Sequence, residues 1–207
     1  MLIPLPGWRE PLEILPLFAG EPMPALLQTT GPVGADPDIS RWSILCADPF
    51  DLLRWSVGQA GDPFLLLERA VAAHAGPPET GLPFSGGAIG YIGYEAGYAV
   101  EAILVPASRS KAGLGLPDLL FGLYAWAIVW DHRNRTWAIV SSGAPETGQA
   151  KSARARRDAE RVSHVIEANS VAPPTHRPAC PDGGARILGT SVPRDDYLRM
   201  VRQARHL

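Results

Sequence analysis

Residues Gly86–Gly97 read GGAIGYIGYEAG, five glycines in twelve positions with apolar or aromatic residues between them. Glycine weakens helices and strands alike. A stretch that keeps glycine beside isoleucine and tyrosine points to a pleated strand that another backbone approaches closely. Ala88–Tyr94 is therefore predicted to be a strand, central in its sheet. A phosphate loop fits less well. Gly86-Gly87-Ala88-Ile89-Gly90 lacks the dinucleotide-binding spacing, and no Lys-Ser/Thr pair follows as in a P-loop.

Working outward, Leu119–Trp130 and Thr136–Ser141 read as two long strands, with a hairpin at Asp131-His132-Arg133-Asn134-Arg135. Upstream, Trp42–Ala47 is an apolar strand ended by Asp48-Pro49. Leu53, Trp55 and Val57 alternate with polar residues at strand period. Asp62-Pro63 pairs an N-cap with proline at the first helical position, which starts a helix over Phe64–His74. Residues 2–30 carry six prolines among short apolar pieces and suggest extended segments. Ala25-Leu26-Leu27 there is a buried strand that turns polar at Gln28-Thr29-Thr30. Residues 31–38 and 102–116 are predicted loops.

A helix is expected over Pro145–Ala168, with Ala155, Ala159, Val162 and Ile166 on its buried stripe and Arg154, Arg156, Arg157 and Arg161 on a solvated face. Residues 170–190 hold four prolines and Gly183-Gly184 and form a linker. After it, Pro193, Asp195 and Asp196 suit a first helical turn. Tyr197, Val201 and Ala204 share a stripe. That pattern runs on to Leu207 without a cap, which suggests further protein beyond it.

Composition sets bounds. The 207 residues suffice for one large domain or two small ones, and 46% apolar residues allow a substantial core. With 21 prolines and 21 glycines, strands and turns are favoured over a helical bundle. A net charge of -2 argues against general nucleic-acid binding. Cys46 and Cys180, far apart, offer no metal spacing or disulfide framework, and a reduced, cytoplasmic protein is expected. The N-terminus lacks the form of a signal peptide, and no apolar run is long enough for a membrane span.

These landmarks occur in the order of a known family. Ser40-Arg41-Trp42-Ser43-Ile44-Leu45 with Ala47-Asp48-Pro49, the Gly86–Glu95 run, Leu116-Pro117-Asp118, Tyr124-Ala125-Trp126-Ala127-Ile128-Val129 with Asp131-His132, and the Tyr197 helix cover most of residues 22–207. The chain resembles the N-terminal region of aminodeoxychorismate synthase component I, a close relative of anthranilate synthase component I. Leu-Pro-Asp followed by Tyr-Ala-Trp-Ala looks more like the aminodeoxychorismate branch.

The resemblance implies an α+β fold, antiparallel β-sheets with a few outer helices, as part of an anthranilate synthase component I-like architecture. Residues 1–169 would form the N-terminal-like domain, 170–190 the linker, and 191–207 the start of a chorismate-binding domain that is otherwise missing. In the family, chorismate plus ammonia give 4-amino-4-deoxychorismate, on the route to 4-aminobenzoate and folate. A glutamine amidotransferase subunit supplies the ammonia, and magnesium is held by the missing domain. This chain would then be non-catalytic. The alternatives are a fragment of anthranilate synthase component I, in tryptophan biosynthesis, or a stand-alone module that binds tryptophan or a partner.

Family members also hold tryptophan against this region, and the matching positions are Thr29, Ile39, Ser40, Arg41 and Trp42. A zwitterion needs donors for its carboxylate and acceptors for its ammonium, and its indole needs apolar walls. Leu26-Leu27-Gln28-Thr29 departs from the anthranilate branch's Leu-Leu-Glu-Ser and lacks that glutamate. The plainer alternative makes Arg41 a surface cation and Trp42 a core aromatic. Glu95 more simply meets solvent or a nearby base than acts as a catalytic carboxylate. His74, His132, His164, His176 and His206 show no close pairing that would make a metal site. Buried Cys46 is expected to be inert. Ser43 lacks a nucleophile elbow.

Overall fold

The computed structural model describes residues 1–28, 40–74, 81–101, 115–169 and 192–205. The expected loop at 31–38, the linker at 170–190 and all but the last two residues of the expected loop at 102–116 lie outside these residues. The chain divides into two compact units, Met1–Pro173 and Pro174–Leu207.

The first unit is built on two antiparallel sheets. Strands β1 (Leu2–Pro4), β2 (Ala25–Gln28), β3 (Trp42–Cys46), β7 (Trp126–Asp131) and β8 (Thr136–Ser141) form one, in the order β1-β8-β7-β3-β2. Strands β4 (Asp51–Trp55), β5 (Gly87–Ile92) and β6 (Leu119–Tyr124) form the other, ordered β4-β6-β5. Helices α1 (Pro11–Ile14), α2 (Pro63–His74) and α3 (Gly148–Ala168) complete the unit. The α+β expectation, antiparallel sheets with outer helices, holds.

The predicted long strand Leu119–Trp130 divides at Ala125. Its first half is the middle strand of the smaller sheet and its second half the middle strand of the larger one. The break has a chemical anchor. The Ala125 carbonyl accepts from the Ser142 amide at 2.7 Å and from the Ser141 and Ser142 hydroxyls at 3.2 and 3.1 Å. It is thereby tied to the end of β8, and the chain changes sheets there. Alternation alone could not reveal this, because every residue of β7 is buried.

β7 is buried on both faces because the larger sheet is covered on both. Trp126, Ile128 and Trp130 pack with Ile14, Phe18, Leu45, Trp137 and Ile139 against Ala159, Val162 and Ile166 of α3. The predicted α3 stripe is thus the one buried. Ala127 and Val129 face the other way and join Cys46, Val140, Tyr124 and Ile89, closing the space between the sheets. A run buried on both sides reads as continuous hydrophobicity, here WAIVW.

Three sequence expectations need correction. Residues 2–30 are not all extended: α1 is followed by a 3-10 turn at Leu15–Phe18. Prolines there occupy the first positions of each turn, where no amide partner is needed. Ile14 and Phe18 are fully buried, and the Trp130 and Trp137 indoles donate to the carbonyls of Arg9 and of Pro6 and Gly7. Arg161 is not merely solvated. It pairs with Glu21 at 2.6 Å and lies over the Trp126 ring. Arg154, similarly, pairs with Asp158 on its own helix.

The third correction concerns the glycine run. β5 is an edge strand, with β6 at the centre of the smaller sheet. Close approach is nevertheless what its glycines serve. Gly90 pairs with Phe121, and a Cβ on Gly90 would lie 2.0 Å from the Leu120 carbonyl oxygen. Tyr94, expected in the strand, falls in a 3-10 turn at Tyr94–Ala99. The Leu116-Pro117-Asp118 segment pins this region. The Asp118 carboxylate accepts from the Val57 amide, its carbonyl accepts from Gly93, and the Pro117 carbonyl accepts from the Tyr91 hydroxyl.

In the second unit, α4 (Arg194–Ala204) carries Asp195 and Asp196 in its first turn, as expected, with Tyr197 and Val201 exposed.

Gly90→Ala is expected to lower the unfolding free energy by about 2 kcal/mol or more, because the added carbon overlaps backbone that cannot swing away. Nothing lies within 4 Å of the same addition at Gly97. Gly97→Ala should therefore change stability by less than about 0.5 kcal/mol. Urea titrations of both variants compare the two; similar losses would show that β5 does not depend on the approach at Gly90.

Candidate functional site

Of the five positions expected to hold tryptophan, Thr29 and Ile39 lie outside the described residues. Ser40, Arg41 and Trp42 stand at the start of β3. Register sets Trp42 opposite Asp131 and Ser43 opposite Trp130, and the His132 amide donates to the Arg41 carbonyl at 2.8 Å. The strand start and the β7–β8 turn are therefore one place in space.

Arg41 is held on an edge and on a face. Its Nε donates to both Asp131 oxygens at 3.2 Å, and its Nη2 donates to Oδ2 at 2.7 Å. Its guanidinium lies 4.2 Å from the centroid of the Trp42 ring. The arrangement joins a charge-assisted pair to a cation–π contact. Arg41 is thus not a plain surface charge, and any ligand it met would meet it already paired with Asp131. Its side chain keeps 30% of its exposure.

Asp131 is the organising acceptor. Oδ1 also takes the Arg133 and Asn134 amides, at 3.1 and 3.2 Å, and Oδ2 takes the Asn134 side-chain amide at 2.9 Å. Burial pushes the Asp131 pKa upward. The hydrogen bonds from Arg41 and Asn134, with the Arg41 charge, outweigh it and hold the carboxyl below the ordinary aspartate value.

Beside this pair, Ser43 Oγ and His132 Nε2 share a hydrogen bond of 2.7 Å. This partner of His132 is a hydroxyl, and it does not bear on the expectation about metal-binding pairs. The pair does not make a nucleophile. Ser43 is fully buried, and the adjacent carboxylate serves Arg41. Trp8 packs edge-on against His132 and lies beneath Arg135. The result is a band of Trp8, Arg41, Trp42, Asp131 and His132. Sequence reasoning marked Arg41 and Trp42 but took Asp131 and His132 for turn residues, and it gave Trp8 no role. An aspartate leading a tight turn is the signal that was present.

Burial pushes the Cys46 thiol up to about 12, so at neutral pH it is an inert core group, as expected. Among the described residues, no three His, Cys, Asp or Glu side chains converge. Asp131, the buried carboxylate among the described residues, is already saturated by nitrogen donors. These residues do not fit a magnesium site. Among the described residues, no helix is long and apolar enough to cross a membrane.

The two-sheet fold is that of part of anthranilate synthase component I. The Streptococcus pneumoniae structure matches with a TM-score of 0.56 at 22% identity, covering 87% of this chain and 41% of that one. A family model described as chorismate binding enzyme matches residues 39–206, and the chain belongs to that family.

Aminodeoxychorismate synthase component 1 of Salmonella typhimurium is 33% identical over 117 residues, 49% of this chain and 25% of that protein. Its Klebsiella aerogenes counterpart is 38% identical over 89 residues, 42% of this chain and 19% of that protein. Anthranilate synthase component 1 of Lactococcus lactis is 31% identical over 113 residues, 50% of this chain and 24% of that protein. The matches thus span a quarter or less of these relatives' lengths.

Folding lowers the pKa of Asp131, so its ionised form stabilises the fold at neutral pH. That contribution is lost as pH falls through and below the ordinary aspartate range. Asp131→Asn should cost about 1–3 kcal/mol near neutrality, the scale of hydrogen bonds to a charged group. The gap to the parent should narrow near about pH 3. Chemical denaturation across that range measures both; a gap independent of pH would remove the ion pair from the account.

Proposed function

We propose that this chain is the N-terminal portion of component I of an aminodeoxychorismate synthase. The whole enzyme would convert chorismate and ammonia to 4-amino-4-deoxychorismate, on the route to 4-aminobenzoate and folate. The observation that carries this reading is the identity to aminodeoxychorismate synthase component 1, 33% and 38% in two relatives, against 31% to anthranilate synthase component 1. The alternative, a portion of anthranilate synthase component I, rests on the lower of these figures and on the shared fold.

In this reading the 207 residues are not themselves catalytic. They supply the two-sheet scaffold and part of the contact with a glutamine amidotransferase subunit that delivers ammonia in the cytoplasm. Chorismate and magnesium belong to the remainder of the enzyme. Support comes from the small share of each relative that the chain matches, and from Asp131, whose lone pairs are already taken by Arg41, Arg133 and Asn134.

The test joins the chain to the complementary part of a family enzyme from which the equivalent N-terminal residues have been removed. With chorismate, ammonia and magnesium, the chain alone should give no product and the joined protein should give 4-amino-4-deoxychorismate. Product from the chain alone would overturn the non-catalytic assignment. Anthranilate from the joined protein would move it to the other branch.

A second reading, tryptophan binding at Ser40, Arg41 and Trp42 with Thr29 and Ile39, is favoured by the partial exposure of Arg41 above the Trp42 ring. Tryptophan at ~100 times its dissociation constant should add ~2.7 kcal/mol of stability, and Arg41→Gln should diminish the gain. A melting temperature unmoved by millimolar tryptophan would exclude this reading.

A further inference from the structure

The start of the glycine run borders a half-open cavity of about 420 Å³ in the first unit, lined by β5, the end of β8, α2 and the first turn of α3. That is the size of a small-molecule site. Gly86 shapes one wall. Its φ is +116°, and a Cβ there would lie 2.8 Å from Ser142 Oγ and 3.1 Å from the Tyr124 carbonyl oxygen. Only glycine lets the strand lie this close to the Ser141–Ser142 end of β8.

The lining is chemically one-sided. Phe50, Phe84, Leu82 and Leu123 supply apolar walls, while Lys151, His74 and Ser85 supply donors; the Ser142 hydroxyl is already donated to the Ala125 carbonyl. No carboxylate is among the described lining residues. Lys151 makes no ion pair among the described residues, although Arg154, one turn on, has Asp158. The His74 ring meets the edge of Phe50 at 4.9 Å and makes no hydrogen bond among the described residues. The lysine ammonium is a cation, and an imidazole carries at least one N–H in either protonation state.

We propose that this cavity binds a small monocarboxylate with a flat apolar body. The carboxylate would meet Lys151 and the nearby N–H and hydroxyl donors, and the ring would lie against Phe50 and Phe84. A cationic ligand would find no acceptor charge. Inorganic phosphate would leave the apolar walls uncovered. Arg41 and Trp42 are absent from this lining, so the proposal stands whether or not tryptophan binds at β3.

The test titrates the 207-residue chain with benzoate by calorimetry and by nuclear magnetic resonance of the His74 ring. Benzoate should bind, and it should shift the His74 signals. Benzamide and phosphate should bind at least ~10-fold more weakly, as should benzoate to Lys151→Gln, the loss of one charge-assisted contact. Val71→Phe, which fills the cavity from α2, should also abolish binding, whereas Arg41→Gln should retain it. The proposal is overturned if benzoate fails to bind at ~10 mM. It is equally overturned if benzamide matches benzoate, or if folded Lys151→Gln and Val71→Phe both bind as the parent does.

Discussion

Both layers of this fold depend on β7 being hydrogen-bonded along both edges and buried on both faces. β3 and β8 flank it. Trp126, Ile128 and Trp130 face α3 and the N-terminal turns, while Ala127 and Val129 face the second sheet. The chain enters β7 directly from β6 through Ala125. The second sheet is therefore joined covalently, in mid-strand, to the centre of the first. Three donors from Ser141 and Ser142 converge on the one carbonyl at that junction. Burying an amide without such partners would cost several kcal/mol, so the serines decide where the strand may leave its sheet.

The far end of β7 is governed by a similar economy of acceptors. Asp131 closes the β7–β8 turn through Arg133 and Asn134 and in the same stroke fixes Arg41 across the sheet. Arg41 then covers Trp42. One carboxylate thus holds two residues of its own turn and an arginine 90 positions away. Any ligand at this end must therefore be accommodated around an existing ion pair, and the positive charge it would meet is already largely compensated.

Local pattern was legible in the sequence wherever one physical demand acted alone. The Ala155, Ala159, Val162 and Ile166 stripe gave α3 its buried face. Asp62 before Pro63 gave α2 its start, and the Asp62 carboxylate does accept the Phe64 and Leu65 amides. Pattern failed where two demands coincided. WAIVW is apolar on both faces, so alternation could not mark the sheet change at Ala125. Prolines at the first positions of short turns resembled extended chain. Arg41 could not be matched to Asp131, because that pairing follows from register across 90 residues. The band around His132 was hidden for the same reason.

The two ends of the larger sheet differ in how their polar groups are satisfied. At the Arg41 end the charges meet each other, and the turn amides are consumed by the same aspartate. At the Gly86 end Ser141 and Ser142 spend their hydroxyls on the Ala125 carbonyl, and among the described residues neither Lys151 nor His74 meets a carboxylate. A glycine at Gly86 lets the backbones close to contact distance, yet the neighbouring aromatic side chains leave a void instead of filling it. Interiors are ordinarily packed to crystal-like density. The space here is instead half open, and its described lining carries Lys151 and His74 and no carboxylate. The glycine run makes two close approaches: Gly90 closes β5 onto β6, and Gly86 brings the chain against Ser142 at the edge of the cavity.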